Sequence, residues 1–189
     1  MKIKLSNIGE FQSGVYEKAN INADTRYLQA VHFTRSGIFD KTVPAQLKLN
    51  NKLEKHLLKE GDLLFAAKGL NNFAVVYYNG IGKAVASSSF IVIKLESDSK
   101  KIILPDYLAW FITHNKQIKL MHEQQLGTTI PSISMKQLGE LEINIPPLAI
   151  QKKIVAIHQL WEKEKELTLQ IEEWKDKQVQ YFLSNATKK

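Results

Sequence analysis

The amino-acid sequence predicts an α+β fold: a mixed-sheet domain with short helices over residues 1–147, then one long helix over residues 148–189. Three observations carry that expectation. Short apolar runs with period-two alternation recur through the first part, separated by Gly, Asn and Ser clusters, as half-buried strands require. Within that part, residues 105–123 have helical spacing, with Leu108, Phe111 and Ile112 on one face and Leu104, Tyr107 and Trp110 widening it. From Leu148 onward there is neither glycine nor proline. A single helix over residues 148–183 is roughly 54 Å long at 1.5 Å per residue, more than a domain of this size needs for its own core.

In chain order, residues 1–14 begin with the alternating strand KIKL and close in the turn-like QSG. Residues 27–33, YLQAVHF, read as a strand that ends at the turn of Arg35, Ser36 and Gly37. Residues 47–60 are polar and lysine-rich, with room for a turn or two of surface helix. Gly61 and Asp62 lead into an apolar strand over residues 63–67, and KGLNNF loops from it to a strand over residues 74–78. NGIG at residues 79–82 reads as a hairpin turn. No helical pattern follows, because VASSSFIVI continues as strand to residue 93, so this GxG is not a phosphate loop. Pro105 suits the start of the helix over residues 105–123. LGTTIPSIS is a loop of small hydroxyl residues whose Ser134 is placed to cap the short turn MKQL. Leu141, Ile143 and Ile145 then alternate with Glu142 and Asn144, a strand with one buried face. Pro146 and Pro147 stop it, since proline lacks the ladder donor and restricts the residue before it. Pro147 also has the φ of a first helical turn.

At 189 residues, 44% hydrophobic and 24% charged, the chain can bury one sizeable core. Cysteine is absent, which removes disulfides and thiolate metal sites and suits a reducing cytoplasm. No segment approaches the roughly 20 apolar residues that span a bilayer, and MKIKLSNIGEF lacks a signal-peptide core. A soluble cytoplasmic protein with no membrane partner is therefore expected. Residues 1–147 hold 18 basic and 13 acidic side chains and residues 148–189 hold 8 and 6, so most of the formal +7 falls on the globular part. Such a charge attracts a polyanion such as nucleic acid, although solubility alone also accounts for it. Arginine occurs only at Arg26 and Arg35, leaving lysine, a point charge suited to phosphates, as the main cation.

The segment IPPLAIQKKIVAI, after a strand and before a long helix, is preceded by GTTIPSISMKQLGEL. Together they resemble the end of a target-recognition domain and the following spacer helix in specificity subunits of type I restriction-modification systems. Gly127, Ile130, Ile133, Leu138, Leu141, Pro146, Pro147, Leu148 and Gln151 carry the match, and GDLLFAAKG and YLQAVHFTRSGIF extend it upstream. The resemblance implies sequence-specific binding of double-stranded DNA. It also implies a methyltransferase subunit that modifies adenine with S-adenosylmethionine and a restriction subunit that uses ATP and magnesium, with no cofactor in this chain. Such subunits usually carry two recognition domains and two spacer helices, so one of each here implies a half-size form.

Candidate DNA contacts are Arg26, His32 and Arg35 around the strand over residues 27–33; Lys68, Asn71 and Asn72 in KGLNNF; and Thr128, Thr129, Ser132 and Lys136 in and after the hydroxyl-rich loop. An asparagine amide matches an adenine edge, lysine reaches a phosphate or a guanine, and short hydroxyls suit backbone and base-edge contacts. Plainer roles stand beside these. Asn71 and Asn72 suit a turn, His32 suits a structural place between apolar neighbours, and Ser87, Ser88 and Ser89 lack a paired acid and base. Tyr107, Trp110 and Phe111 have the spacing of core residues rather than of a base-stacking platform. No coherent catalytic constellation, Walker loop or asparagine-proline-proline-aromatic motif is present, so catalysis is expected in partner subunits rather than here.

On the long helix, Ile157, Leu160, Leu167, Ile171, Trp174 and Tyr181 recur by alternating threes and fours, with Glu164 and Gln178 at intervening positions. That is a coiled-coil stripe whose polar positions fix register. An identical chain can supply the partner. An antiparallel homodimer would carry two recognition domains at opposite ends and read an interrupted palindrome. The alternative is a coiled-coil protein-interaction module without DNA recognition.

Overall fold

The computed structural model describes residues 2–18, 23–34, 37–69, 71–123 and 131–186. Its elements run β1 (Lys2–Lys4), β2 (Gly9–Ser13), β3 (Arg26–Leu28), α1 (Asn51–Glu54), β4 (Leu63–Ala66), β5 (Ala74–Val76), β6 (Ala84–Ala86), β7 (Phe90–Leu95), α2 (Pro105–Thr113), α3 (Asn115–Glu123), α4 (Met135–Gly139), β8 (Glu142–Asn144) and α5 (Leu148–Ala186). The fold is α+β, with small mixed sheets and short helices before one long C-terminal helix. Two compact units divide it, Met1–Lys152 and Lys153–Lys189.

All four residues of β4 are buried, which explains why its sequence, LLFA, does not alternate. It lies inside an antiparallel sheet of order β2-β7-β4-β5, with Leu63 opposite Ile93 and Phe65 opposite Ile91. One face carries Leu64, Ala66, Val75 and Val92 into a cluster with Leu28, Phe33, Phe39 and Phe90. Phe90 meets the rings of Phe33 and Phe73 edge-on at 5.8 and 6.0 Å, the geometry aromatic quadrupoles prefer. Helix α2 packs against β4 and β5 and buries Leu108 and Ile112. Two smaller pairings flank the sheet. β1 runs antiparallel to β8, with Ile3 opposite Ile143, and β3 runs parallel to β6, with Tyr27 opposite Val85.

Several sequence expectations change. The strand expected over residues 27–33 stops at Leu28, because Ala30–His32 form a 3₁₀ turn closed by a capping box between Gln29 and His32. NGIG is not a hairpin: it forms a 3₁₀ turn, and it links β5, paired with β4, to β6, paired with β3. The strand expected over residues 84–93 breaks at the serines, where Phe90 N donates to Ser87 O and Ser87 N donates to Leu28 O. The helix expected over residues 105–123 is two helices. His114 turns extended between them, and its carbonyl accepts from Gln117 N and Ile118 N to start the second. Strand β2, GEFQS, too polar to read as a strand, was not anticipated.

The end of the globular unit follows its sequence closely. β8 buries Ile143 and exposes Glu142 and Asn144. Pro147 precedes the first turn of α5 rather than joining it, its carbonyl accepting from Ile150 N and Gln151 N. Gln151 is 0% exposed, and its amide is fully used. Its Oε1 accepts from Leu104 N at 2.8 Å, and its Nε2 donates to Ile102 O and Pro146 O at 2.7 and 2.8 Å. A buried amide survives only with such partners. Beyond residue 152 no described residue of the helix is buried, and Lys163 pairs with Glu166 and Lys165 with Glu162 along it. Among the described residues no helix is long and apolar enough to cross a membrane.

Candidate nucleic-acid interface

At the C-terminal end of β4 the chain emerges from the core as Ala67, Lys68 and Gly69, and there it meets the segment that precedes α4. Ile133 N donates to Ala67 O at 2.9 Å and Gly69 N donates to Pro131 O at 2.8 Å, making Lys68 and Ser132 partners in an antiparallel bridge. Residues opposite one another in such a pair project to the same side. Both are exposed, and the Lys68 ammonium has no partner among the described residues. Gly69 sits at φ +85° with open space where a Cβ would stand, so its backbone angle, not crowding, demands glycine. Two stretches distant in sequence, residues 67–69 and 131–133, therefore form one surface.

Beside Lys68 lies an open depression, also lined by Tyr16, Gln29, Val31, Ser88 and Ser89. Its floor is committed: the Tyr27 hydroxyl donates to Val15 O at 2.8 Å, and the Ser87 and Ser89 hydroxyls share a hydrogen bond of 2.7 Å. Its rim is not. Tyr16 is 76% and Val31 81% exposed, so an aromatic ring and an aliphatic tip flank a free ammonium. That combination can stack on or pack against a base while the lysine takes a phosphate or a base edge.

The remaining sequence candidates separate. Asn71 is exposed at the loop tip. Asn72 is turned to the fold, its Nδ2 donating to Ala66 O and its Oδ1 facing His122 Nε2, both at 2.8 Å. Arg26 also faces inward: its guanidinium donates to Val43 O and Ile81 O, and Gly82, at φ +80°, leaves the space it occupies. The His32 Nδ1 accepts from Gln29 N, and burial pushes the imidazole below its ordinary pKa, favouring the neutral ring that this bond needs. Its neighbour Val31, not His32, lines the depression. Lys136 is exposed on α4, whose first turn is capped by Ser134 and Gln137. Arg35, Thr128 and Thr129 lie outside the described residues. Tyr16 and Val31 give no signal in the sequence: Tyr16 stands in a polar stretch, and Val31 follows a strand that ends at Leu28.

Among the described residues no group of His, Asp or Glu side chains could hold a metal ion. On the second unit, Ile157, Leu160 and Trp174 are each about 70% exposed, and Leu167, Ile171 and Tyr181 are exposed as well.

Comparison with known proteins bears on the family and the fold. The family described as "Type I restriction modification DNA specificity domain" matches residues 1–173. The chain is 29% identical over 121 residues to the type I restriction enzyme HindI specificity subunit of Haemophilus influenzae, a match covering 62% of this chain and 26% of that subunit. In fold it is similar to the HsdS subunit from Thermoanaerobacter tengcongensis, with a TM-score of 0.58 at 12% identity over 87% of this chain and 37% of that one. It is also similar to the type I restriction-modification S subunit from M. genitalium, with a TM-score of 0.54 at 16% identity over 87% and 39%. Each match spans well under half of the relative's own length. Matched from its first residue into the long helix, this chain belongs to the family of type I restriction modification DNA specificity domains.

Proposed function

We propose that residues 1–147 read a DNA sequence on behalf of a type I restriction-modification enzyme, and that residues 148–189 form the spacer and dimerisation helix. The observation that carries this reading is the main-chain bridge between Lys68 and Ser132, which sets a free ammonium and a hydroxyl on one side, next to the open rim of Tyr16 and Val31. Lys68, Asn71, Ser88, Ser132 and Lys136 are the polar contacts of that face, and Arg35, Thr128 and Thr129 are further candidates by side-chain chemistry alone. Arg26, His32 and Asn72 serve it indirectly by holding its turns. Adenine methylation, with S-adenosylmethionine, and cleavage, with ATP and magnesium, belong to a methyltransferase and a restriction subunit in the cytoplasm.

The stripe of Ile157, Leu160, Leu167, Ile171, Trp174 and Tyr181, exposed throughout, supports pairing with a second copy of the chain. A symmetric antiparallel pair reads identical half-sites in inverted order, so the target is an interrupted palindrome. Gel-shift titration over a salt series tests the reading. Specific DNA should be bound with steep salt dependence, and Lys68→Ala should lower either the salt slope by about one or the preference at one base. Absence of DNA binding at low salt, with the modification subunit present, would remove it.

A further inference from the structure

We infer that His122, outside the depression, is a positioning residue for sequence discrimination. The inference rests on the recognition reading above. The Asn72 Nδ2 donates to Ala66 O at the end of β4, which sets the way round the amide stands. Its amide oxygen is therefore what faces His122, and an oxygen only accepts. The 2.8 Å bond must run from His122 Nε2–H to Asn72 Oδ1, which fixes the tautomer of the imidazole. This pair clamps the loop that displays Lys68 and Asn71 against α3.

The preceding residue ties the other strand of the bridge to the same turn of helix. Met121 is buried, and its carbonyl accepts from Gln137 Nε2 at 3.2 Å. Gln137 in turn completes the cap of α4 with Ser134, two residues after Ser132. Residues 121 and 122 thus hold both segments whose side chains emerge together at Lys68 and Ser132. Among the described residues, His122 and Gln137 reach that face through Asn72 and Ser134. Their action is on where the contacting groups stand, and displacing a base-reading group weakens discrimination more than it weakens phosphate-driven affinity.

The test is methylation mapping in cells that express the full chain with its modification subunit. Wild type, His122→Leu, His122→Gln and Asn72→Ala are compared by methylation of the best site and of its single-base neighbours. Discrimination in His122→Leu should fall about tenfold at one base position, while methylation of the best site stays within about twofold. Asn72→Ala should relax the same position, the double variant should be no worse than either single one, and His122→Gln, which keeps a donor, should restore discrimination. Unchanged discrimination in both His122→Leu and Asn72→Ala overturns the inference. So does a uniform loss at all sites that His122→Gln fails to repair, or additive effects at different positions. A wild-type pattern with no preferred sequence overturns the recognition reading itself, and this inference with it.

Discussion

The two units of this chain treat apolar side chains in opposite ways. In Met1–Lys152 the inner strands β4 and β7 are buried on both faces, and Leu63, Leu64, Phe65, Phe90 and Ile93 are each no more than 1% exposed. In the helix beyond Lys152, isoleucine, leucine and tryptophan stand in water at regular spacing. A core that is complete within its own chain accounts for folding. An apolar stripe that nothing in its own helix covers is what the proposed pairing with a second copy would bury, recovering about 25 cal/mol for each Å² removed from water.

The sharpest way to break the contrast is to charge the stripe. Leu167→Glu together with Ile171→Glu should weaken dimerisation on the order of ten-thousandfold or more, since four apolar side chains leave the paired seam at about 1.5–3 kcal/mol each. The melting of the globular unit should not move. Light scattering reads the first effect, and a wild-type chain that stays monomeric at tens of micromolar would sink the dimer.

A smaller effect belongs to the last turn shared with the globular unit. Gln151→Leu keeps an apolar volume but orphans Leu104 N, Ile102 O and Pro146 O, at a cost of about 3 kcal/mol in the denaturant-unfolding free energy of that unit. No loss would show that water replaces the amide there.

The smallest effect is electrostatic. Asp62 is 3% exposed, and burial raises its carboxyl pKa despite a bond from Lys59 N and the charges of Lys94, Lys100 and Lys59. The folded state thus favours the protonated acid. Its contribution is most favourable below the unfolded pKa near 3.8 and is lost as pH rises through the raised folded value. Asp62→Asn, which keeps an acceptor for Lys59 N, should match wild type in acid and gain stability over it as pH rises toward neutral. Equal stability at both ends of a pH series of thermal melts would show that the lysines fully offset burial.

Local signals in the sequence were legible where one physical cause acted alone. The proline pair marked the start of α5, the alternation around Ile143 marked β8, and Ser134 marked a cap. The short apolar runs and the uninterrupted C-terminal stretch together indicated the α+β class. Illegible were features made by distant partners. The parallel match of β3 with β6, the break at His114 and the strand GEFQS, held by β7, depend on register across the fold and leave no periodicity behind. The candidate face shows the same division. Lys68 and Ser132 were each identifiable by side-chain chemistry, but nothing in either stretch says that they stand opposite one another. Nor does local sequence distinguish Asn71, left in solvent, from Asn72, consumed by Ala66 and His122.

The bridge at Lys68 and Ser132 is made of atoms that nearly every residue possesses: the N–H groups of Gly69 and Ile133 and the carbonyls of Pro131 and Ala67. Its integrity does not depend on which side chains occupy positions 68 and 132. The scaffold can therefore exchange the side chains it presents without being rebuilt, so under the proposed recognition role a new preference would arise by point substitution rather than by refolding. A library randomised at residues 68, 71, 88 and 132 should return mostly folded proteins, and selection among them amounts to rewriting an address while leaving the envelope intact.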